Sequence, residues 1–409
     1  MKIFQNPFKP GAGHKPPFLA GRMEETHAFL KLLEQKTILT NAVLTGLRGV
    51  GKTVLLEDWK PQAIAKKWLW VGTDLSESAS ISEEMLVLRL LTDLSVVTSS
   101  ITISKPTPSM GFSNAPANQK YNLNYEQLNQ MYKATPGLPS DKLKGILEFV
   151  WNCLKGHGFN GIIFAYDEAQ TMSDHSGKEQ FPLSLLLDVF QSLQKRDFPL
   201  MLVLVGLPTL FPKLVDARTF AERMFAVITL TKLPLKDSRE AIVKPIEHAG
   251  GPVHFSDESI LLIIKTSGGY PYFIQFICRE VYDIFLQKIN VGEKVAPVPI
   301  KEIIRKLDKD FFAGRWAKAT DRQRDLLGVV AMLDHCEEEF TVQQIVAEAK
   351  SIANPFGGSQ VSQLLAVLTD AGLIYKNRHG KYSFAVPLLG EFIKRQQSED
   401  NETTSPLGL

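Results

Sequence analysis

Apolar positions along this chain follow two rhythms. Short unbroken runs occur at "NAVLTG" (41–46), "WLWVGTDL" (68–75), the start of "GIIFAYDEAQ" (161–170) and "LMLVLVG" (200–206). Runs of this length predict strands buried on both faces, as in a parallel sheet. Between them apolar residues recur every third or fourth position, as with Phe29, Leu30 and Leu33, or Met85, Leu86, Leu90 and Leu94. Further helical stretches lie near 141–156 and 183–195. Strands alternating with amphipathic helices predict an α/β core built on a parallel sheet.

Later regions change character. From Leu233 to about Asn290 every segment reads as helix. Residues 318–395 form a separate pattern of three short helices and then two strands, "LIYKN" and "KYSFAV", about the turn Arg378-His379-Gly380. The third helix places Val361, Leu364, Leu365 and Leu368 on one side. This order resembles a winged helix. The expected divisions are an extended arm (1–20), a core (21–232), a helical lid (233–317), a winged helix (318–396) and a disordered tail (397–409). Residues 98–140 are rich in Ser, Thr, Asn and Pro without a sustained period, which predicts a flexible insertion in the core.

Composition narrows the function only slightly. With 409 residues, 44% of them apolar, and a net charge of +2, the chain carries several cores but no global basic field for nucleic acid or membrane. Cys153, Cys278 and Cys336 lie far apart with no CxxC spacing, which argues against a disulfide framework or zinc site and for a reducing compartment. The first residues show no apolar core like that of a signal peptide, and the longest apolar run (198–211) is short for a bilayer and cut by Pro208. A cytoplasmic protein is expected.

The chemistry concentrates in two places. Gly46-Leu47-Arg48-Gly49-Val50-Gly51-Lys52-Thr53 matches GxxxxGK[ST], with a predicted strand before it and a helix, starting through Val54, after it. Glycines let the main chain fold into a nest of N–H groups around phosphate, and the following helix adds its positive end. Lys52 would reach the outer phosphates, and Thr53 would offer its hydroxyl to Mg²⁺. Asp167 and Glu168 follow the strand "GIIFAY", at the carboxyl edge where α/β sheets gather ligands. Asp167 suits the Mg²⁺ shell, Glu168 suits a base that orients water, and Gln170 is a candidate for γ-phosphate contact. The expected cofactors are therefore ATP and Mg²⁺.

"FLAGRMEE", "GLRGVGKT", "FAYDEAQ", "GLPTL", "FAERMF" and "SGGYPYFIQ" resemble, in that order, an AAA+-related P-loop ATPase of the origin-recognition or STAND type. The resemblance covers roughly residues 6 to 395. It implies that Gly21 and Arg22 lie near the nucleotide, that Arg223 rather than Arg218 is offered to a neighbouring subunit, and that Thr209 is the polar residue after the fourth strand. A lid arginine of initiators has no counterpart here, because Pro271 stands in that region. That departure resembles the STAND pattern, in which the lid proline contacts nucleotide, and it implies slow turnover and a nucleotide-dependent switch that assembles with ATP. The alternative is an initiator-like DNA-binding protein in which ATP stabilises the DNA-bound state. A helicase reading of "DEAQ" lacks a second lobe, and a GTPase reading lacks NKxD.

The C-terminal unit leaves its partner open. Residues 318–395 hold nine Lys/Arg and nine Asp/Glu, a poor balance for counterion release. Yet Lys376, Arg378, His379 and Lys381 make a local basic tip, and Ser359, Gln360 and Gln363 on the third helix suit phosphates or base edges. DNA and a companion effector protein both remain candidates, with a homo-oligomer in the ATP state.

Overall fold

Residues that run apolar without interruption form the middle of one sheet. A computed structural model describes residues 4–11, 13–106, 118–294, 297–351, 354–378 and 380–404. In chain order the strands are β1 (Asn41–Gly46), β2 (Trp68–Val71), β3 (Ile103–Pro106), β4 (Asn118–Tyr121), β5 (Gly161–Tyr166), β6 (Leu200–Gly206), β7 (Phe225–Leu230), β8 (Ile374–Arg378) and β9 (Lys381–Phe384). The main sheet has the order β2-β5-β6-β1-β7. Its pairs β2/β5, β5/β6 and β1/β6 are parallel. β1, β5 and β6 are buried along their whole length, as their composition requires.

Two features of this sheet depart from the expected strands. β7 lies at an edge beside β1, where the sequence pattern predicts no strand, and its burial alternates, with Val227 exposed. β2 ends at Val71, and the chain then passes hard against β5. Gly72 has φ +129°, and a Cβ there would lie 1.9 Å from the Ala165 carbonyl oxygen.

A buried polar pair locks the start of the central strands. The Asn41 and Gln194 amides bond each other, Asn41 Oδ1 also accepts Leu202 N–H (2.8 Å), and Gln194 donates to the Leu200 carbonyl (2.7 Å). Buried amides in such a closed network fix strand register better than apolar contacts alone.

The chain divides into two compact units, and the division differs from the expected domains. One unit comprises Met23–Gly46 and Leu55–Thr229. Here the sheet packs with helices Glu83–Thr98, Pro139–Leu154 and Pro182–Gln194. Part of segment 98–140 is ordered into this unit: β3 and β4 pair as an antiparallel hairpin, and helix Tyr125–Ala134 follows an Asn124–Gln127 capping box. Leu128 and Tyr132 of that helix are buried in the core.

The other unit comprises Met1–Arg22, Leu47–Val54 and Leu230–Leu409. Its helices Leu235–Ala249, Asp257–Ser267 and Pro271–Asn290 share one apolar core with the C-terminal helices Asp321–Met332, Val342–Glu348 and Gly358–Asp370. The expected three helices and the β8/β9 hairpin are present, and a further helix, Leu389–Thr404, extends past the expected start of the tail at 397. Across the expected boundary at 317, Arg395 of that last helix makes two hydrogen bonds to Asp308 (2.9 and 2.6 Å). The N-terminal arm is pinned to the same core by Phe8, which stacks on Phe255, and by Asn6, which donates to Asp283.

Candidate functional site

The loop after β1 is shaped by two glycines and held by its carbonyls. Gly49 and Gly51 have φ of +80° and +94°, the left-handed conformation that disfavours any side chain. The Gly49 carbonyl accepts the N–H of Tyr272 (3.1 Å), in the first turn of helix Pro271–Asn290. The Val50 carbonyl accepts Arg22 Nη2 (3.0 Å), which also donates to the Thr231 carbonyl (2.8 Å). Lys52 Nζ donates to the Leu47 carbonyl (3.0 Å). Peptide units are planar and trans, so each fixed carbonyl directs the next residue's N–H the opposite way. The N–H groups of Val50 and Gly51 therefore point away from Tyr272 and Arg22. Arg22 and Lys52 are both buried, at 6% and 9% exposure, so their charges lie beside the loop rather than in solvent.

Arg48 projects from the same loop to another part of its unit. Its Nη1 donates to the Gly372 carbonyl (3.3 Å), just past helix Gly358–Asp370. Burial and the nearby Arg48 charge together depress the Arg315 guanidinium below its usual range. Pro271 opens its helix at the position where a missing N–H costs nothing.

The acidic turn is held by side chains instead. β5 ends at Tyr166, and the chain still pairs beyond it, with Leu75 N–H donating to the Asp167 carbonyl (2.9 Å). Asp167 is 3% exposed, and its Oδ1 accepts the Glu168 N–H (2.7 Å). Glu168 is exposed and takes φ +54°, a conformation uncommon outside glycine. Gln170 Nε2 donates to Glu168 Oε2, while Gln170 Oε1 accepts the Leu207 N–H (3.1 Å) from the loop after β6. Lys213 Nζ donates to the Gln170 carbonyl (2.7 Å) and to Ser173 Oγ (3.2 Å), and burial lowers its ammonium below the usual range. The Gln170 side chain is thus occupied by Glu168 and Leu207.

Within the sheet, β1 and β5 run parallel on either side of β6, so both end on one edge. The carboxyl edge of such a sheet is where α/β proteins gather ligands.

No curated protein matches the chain. Residues 309–393 match the family described as Domain of unknown function (DUF8462). Solved structures match along nearly the whole length. A Walker-type ATPase of Pyrococcus abyssi is 16% identical, over 93% of this chain and 97% of its own, with a TM-score of 0.58. The ORC2 protein of Aeropyrum pernix in its ADP form is 11% identical, over 97% of this chain and 98% of its own, with a TM-score of 0.55. The chain shares the fold of these two proteins.

Other predicted residues have distinct surroundings. Arg218 is engaged inside its own unit, bidentate to Asp188 (2.8 and 2.7 Å) and bonded to Ser184 Oγ (2.7 Å). Arg223 is exposed on the short helix Ala221–Met224, and its side chain bonds no described residue. Thr209 begins helix Leu210–Ala217 without a side-chain cap. Ser359, Gln360 and Gln363 are exposed on helix Gly358–Asp370, Lys376 is exposed and Lys381 half-buried on the hairpin. The side chain of Arg378 and the whole of His379 lie outside the described residues. Among the described residues no helix is long and apolar enough to cross a membrane.

Sequence spacing misses the residues that brace these two loops. Arg22 to Val50, Tyr272 to Gly49 and Leu207 to Gln170 are all distant pairs. Gly206 in "GLPTL" lies close to the amide, since a Cβ there would lie 2.4 Å from Gln170 Oε1 and would require it to shift.

Proposed function

We propose that this chain binds ATP with Mg²⁺, hydrolyses it slowly, and uses the nucleotide state as a switch for assembly and for engagement of a partner. The observation that carries the reading is the glycine-bent loop of residues 46–53, its carbonyls fixed by Arg22, Lys52 and Tyr272, in the fold of an AAA+ ATPase. Gly46 through Val54 wrap the phosphates, with Lys52 on the outer ones and Arg22, Arg48 and Pro271 nearby. Thr53 and Asp167 offer a hydroxyl and a carboxylate, hard oxygen donors that fit Mg²⁺. The metal would supply charge compensation on the phosphates.

Glu168 takes a proton from the water that attacks the γ-phosphorus, and ADP and phosphate leave. Arg223, exposed and bonded to no described side chain, is suited to a neighbouring subunit's nucleotide. A lone chain lacks that arginine, and Pro271 stands where a lid arginine would act, so turnover by the monomer is slow. The exposed Ser359, Gln360, Gln363 and Lys376, with Arg378 and Lys381, are the proposed contacts to DNA, and a companion protein is the second candidate for that face.

The test is turnover with and without DNA, alongside particle mass in ATP and in ADP. Low basal turnover, a larger particle in ATP and salt-sensitive DNA binding support the reading. Many turnovers per second from isolated monomers contradict it.

A further inference from the structure

Gln170 has two engaged ends, and they belong to different parts of the catalytic edge. Its Oε1 accepts the Leu207 N–H, which settles the amide's orientation and turns its NH₂ toward Glu168 Oε2. Glu168 Oε1 takes no hydrogen bond from the described residues, so one carboxylate oxygen is held and the other is open. The main chain of Gln170 is itself clamped by Lys213, a half-buried cation spent on the Gln170 carbonyl and Ser173 Oγ. The absence of a side chain at Gly206 leaves room for the amide, because a Cβ would lie 2.4 Å from Gln170 Oε1. Glu168 sits on a left-handed backbone, a conformation that persists where its surroundings determine it.

We propose that Gln170 is the positioning residue for Glu168, anchoring its carboxylate to the loop after β6 so that the free oxygen faces the attacking water. This rests on the ATPase reading above. Gln170 touches no phosphate in this role, in place of the γ-phosphate contact its spacing suggested. Any displacement of residues 207–209 moves the amide, and the amide moves the base.

Gln170→Ala tests it, together with Glu168→Gln and the double variant, in single-turnover hydrolysis and nucleotide titration. Misplacing a base costs about ten- to a hundredfold in rate. The single variant is therefore expected to lose about that much kcat, with KM and ADP affinity within about twofold of the parent. The double variant is expected to be no slower than Glu168→Gln alone, since a residue acting through Glu168 has nothing left to position. An unchanged kcat in Gln170→Ala, or a further loss in the double variant, overturns the proposal. Gln170→Glu supplies a second check: it keeps an acceptor for Leu207 but sets two carboxylates together, and it must slow hydrolysis at least as much as the alanine. If Glu168→Gln itself leaves hydrolysis intact, the ATPase reading fails and this inference falls with it.

Discussion

The glycine-bent loop of residues 46–53 and the acidic turn are braced by opposite means. Around the loop, the groups that matter are main-chain carbonyls of Leu47, Gly49 and Val50, each taken by a donor from Lys52, Tyr272 or Arg22. Around the turn, the bracing groups are mainly the side chains of Gln170, Lys213 and Asp167. A nest for an anion needs fixed N–H directions and tolerates many side chains, whereas a base needs one carboxylate aimed in one direction. The difference predicts where each site breaks. Backbone changes injure binding, and side-chain changes injure turnover.

The largest effect outside the two loops sharpens this contrast. Arg223→Ala is expected to cut turnover of the assembled ATP form by about a thousandfold, the scale of an arginine supplied to a neighbour's phosphates. Nucleotide affinity of the monomer should stay within about twofold, as measured by titration. Loss of binding as well would make Arg223 a structural residue. Gly49→Ala is the smaller, opposite case. Its Cβ would lie 3.1 Å from Tyr272 Cβ, at φ +80°, so the loop must distort. ATP affinity is expected to fall about tenfold, from one to two kcal/mol of backbone strain. An unchanged affinity would mean that the loop's bend has no part in holding phosphate.

Much of this architecture is legible in the sequence, and the failures have physical causes. β1, β5 and β6 are continuous apolar runs because both faces are covered. β7 escapes the pattern because an edge strand keeps exposed positions such as Val227 and follows directly on helix Ala221–Met224. The helix Leu389–Thr404 buries Phe392 and Ile393 and then turns polar, so periodicity ends before the helix does. Helix Tyr125–Ala134 is announced by its Asn124–Gln127 cap more than by its composition. In the proposed site, the motif residues stand out because phosphate chemistry would restrict both type and spacing. Arg22, Tyr272 and Lys213 were not readable as braces, since nothing local marks a residue that reaches a distant carbonyl.

The division into units also carries a lesson. The loop Leu47–Val54 groups with Met1–Arg22 and Leu230–Leu409, not with the strand that precedes it. Arg48 to Gly372 and Gly49 to Tyr272 are bonds of this loop within that unit. A segment read as the centre of the α/β core is held instead by residues far along the chain.

The most direct measurement is titration of the Glu168→Gln protein with ATP and Mg²⁺, followed by analysis of the bound nucleotide. Intact ATP, retained with an affinity close to that of the parent protein, is the predicted result. Failure to bind, or conversion to ADP at the parent rate, would contradict the division of labour between a nest that holds and a carboxylate that cleaves.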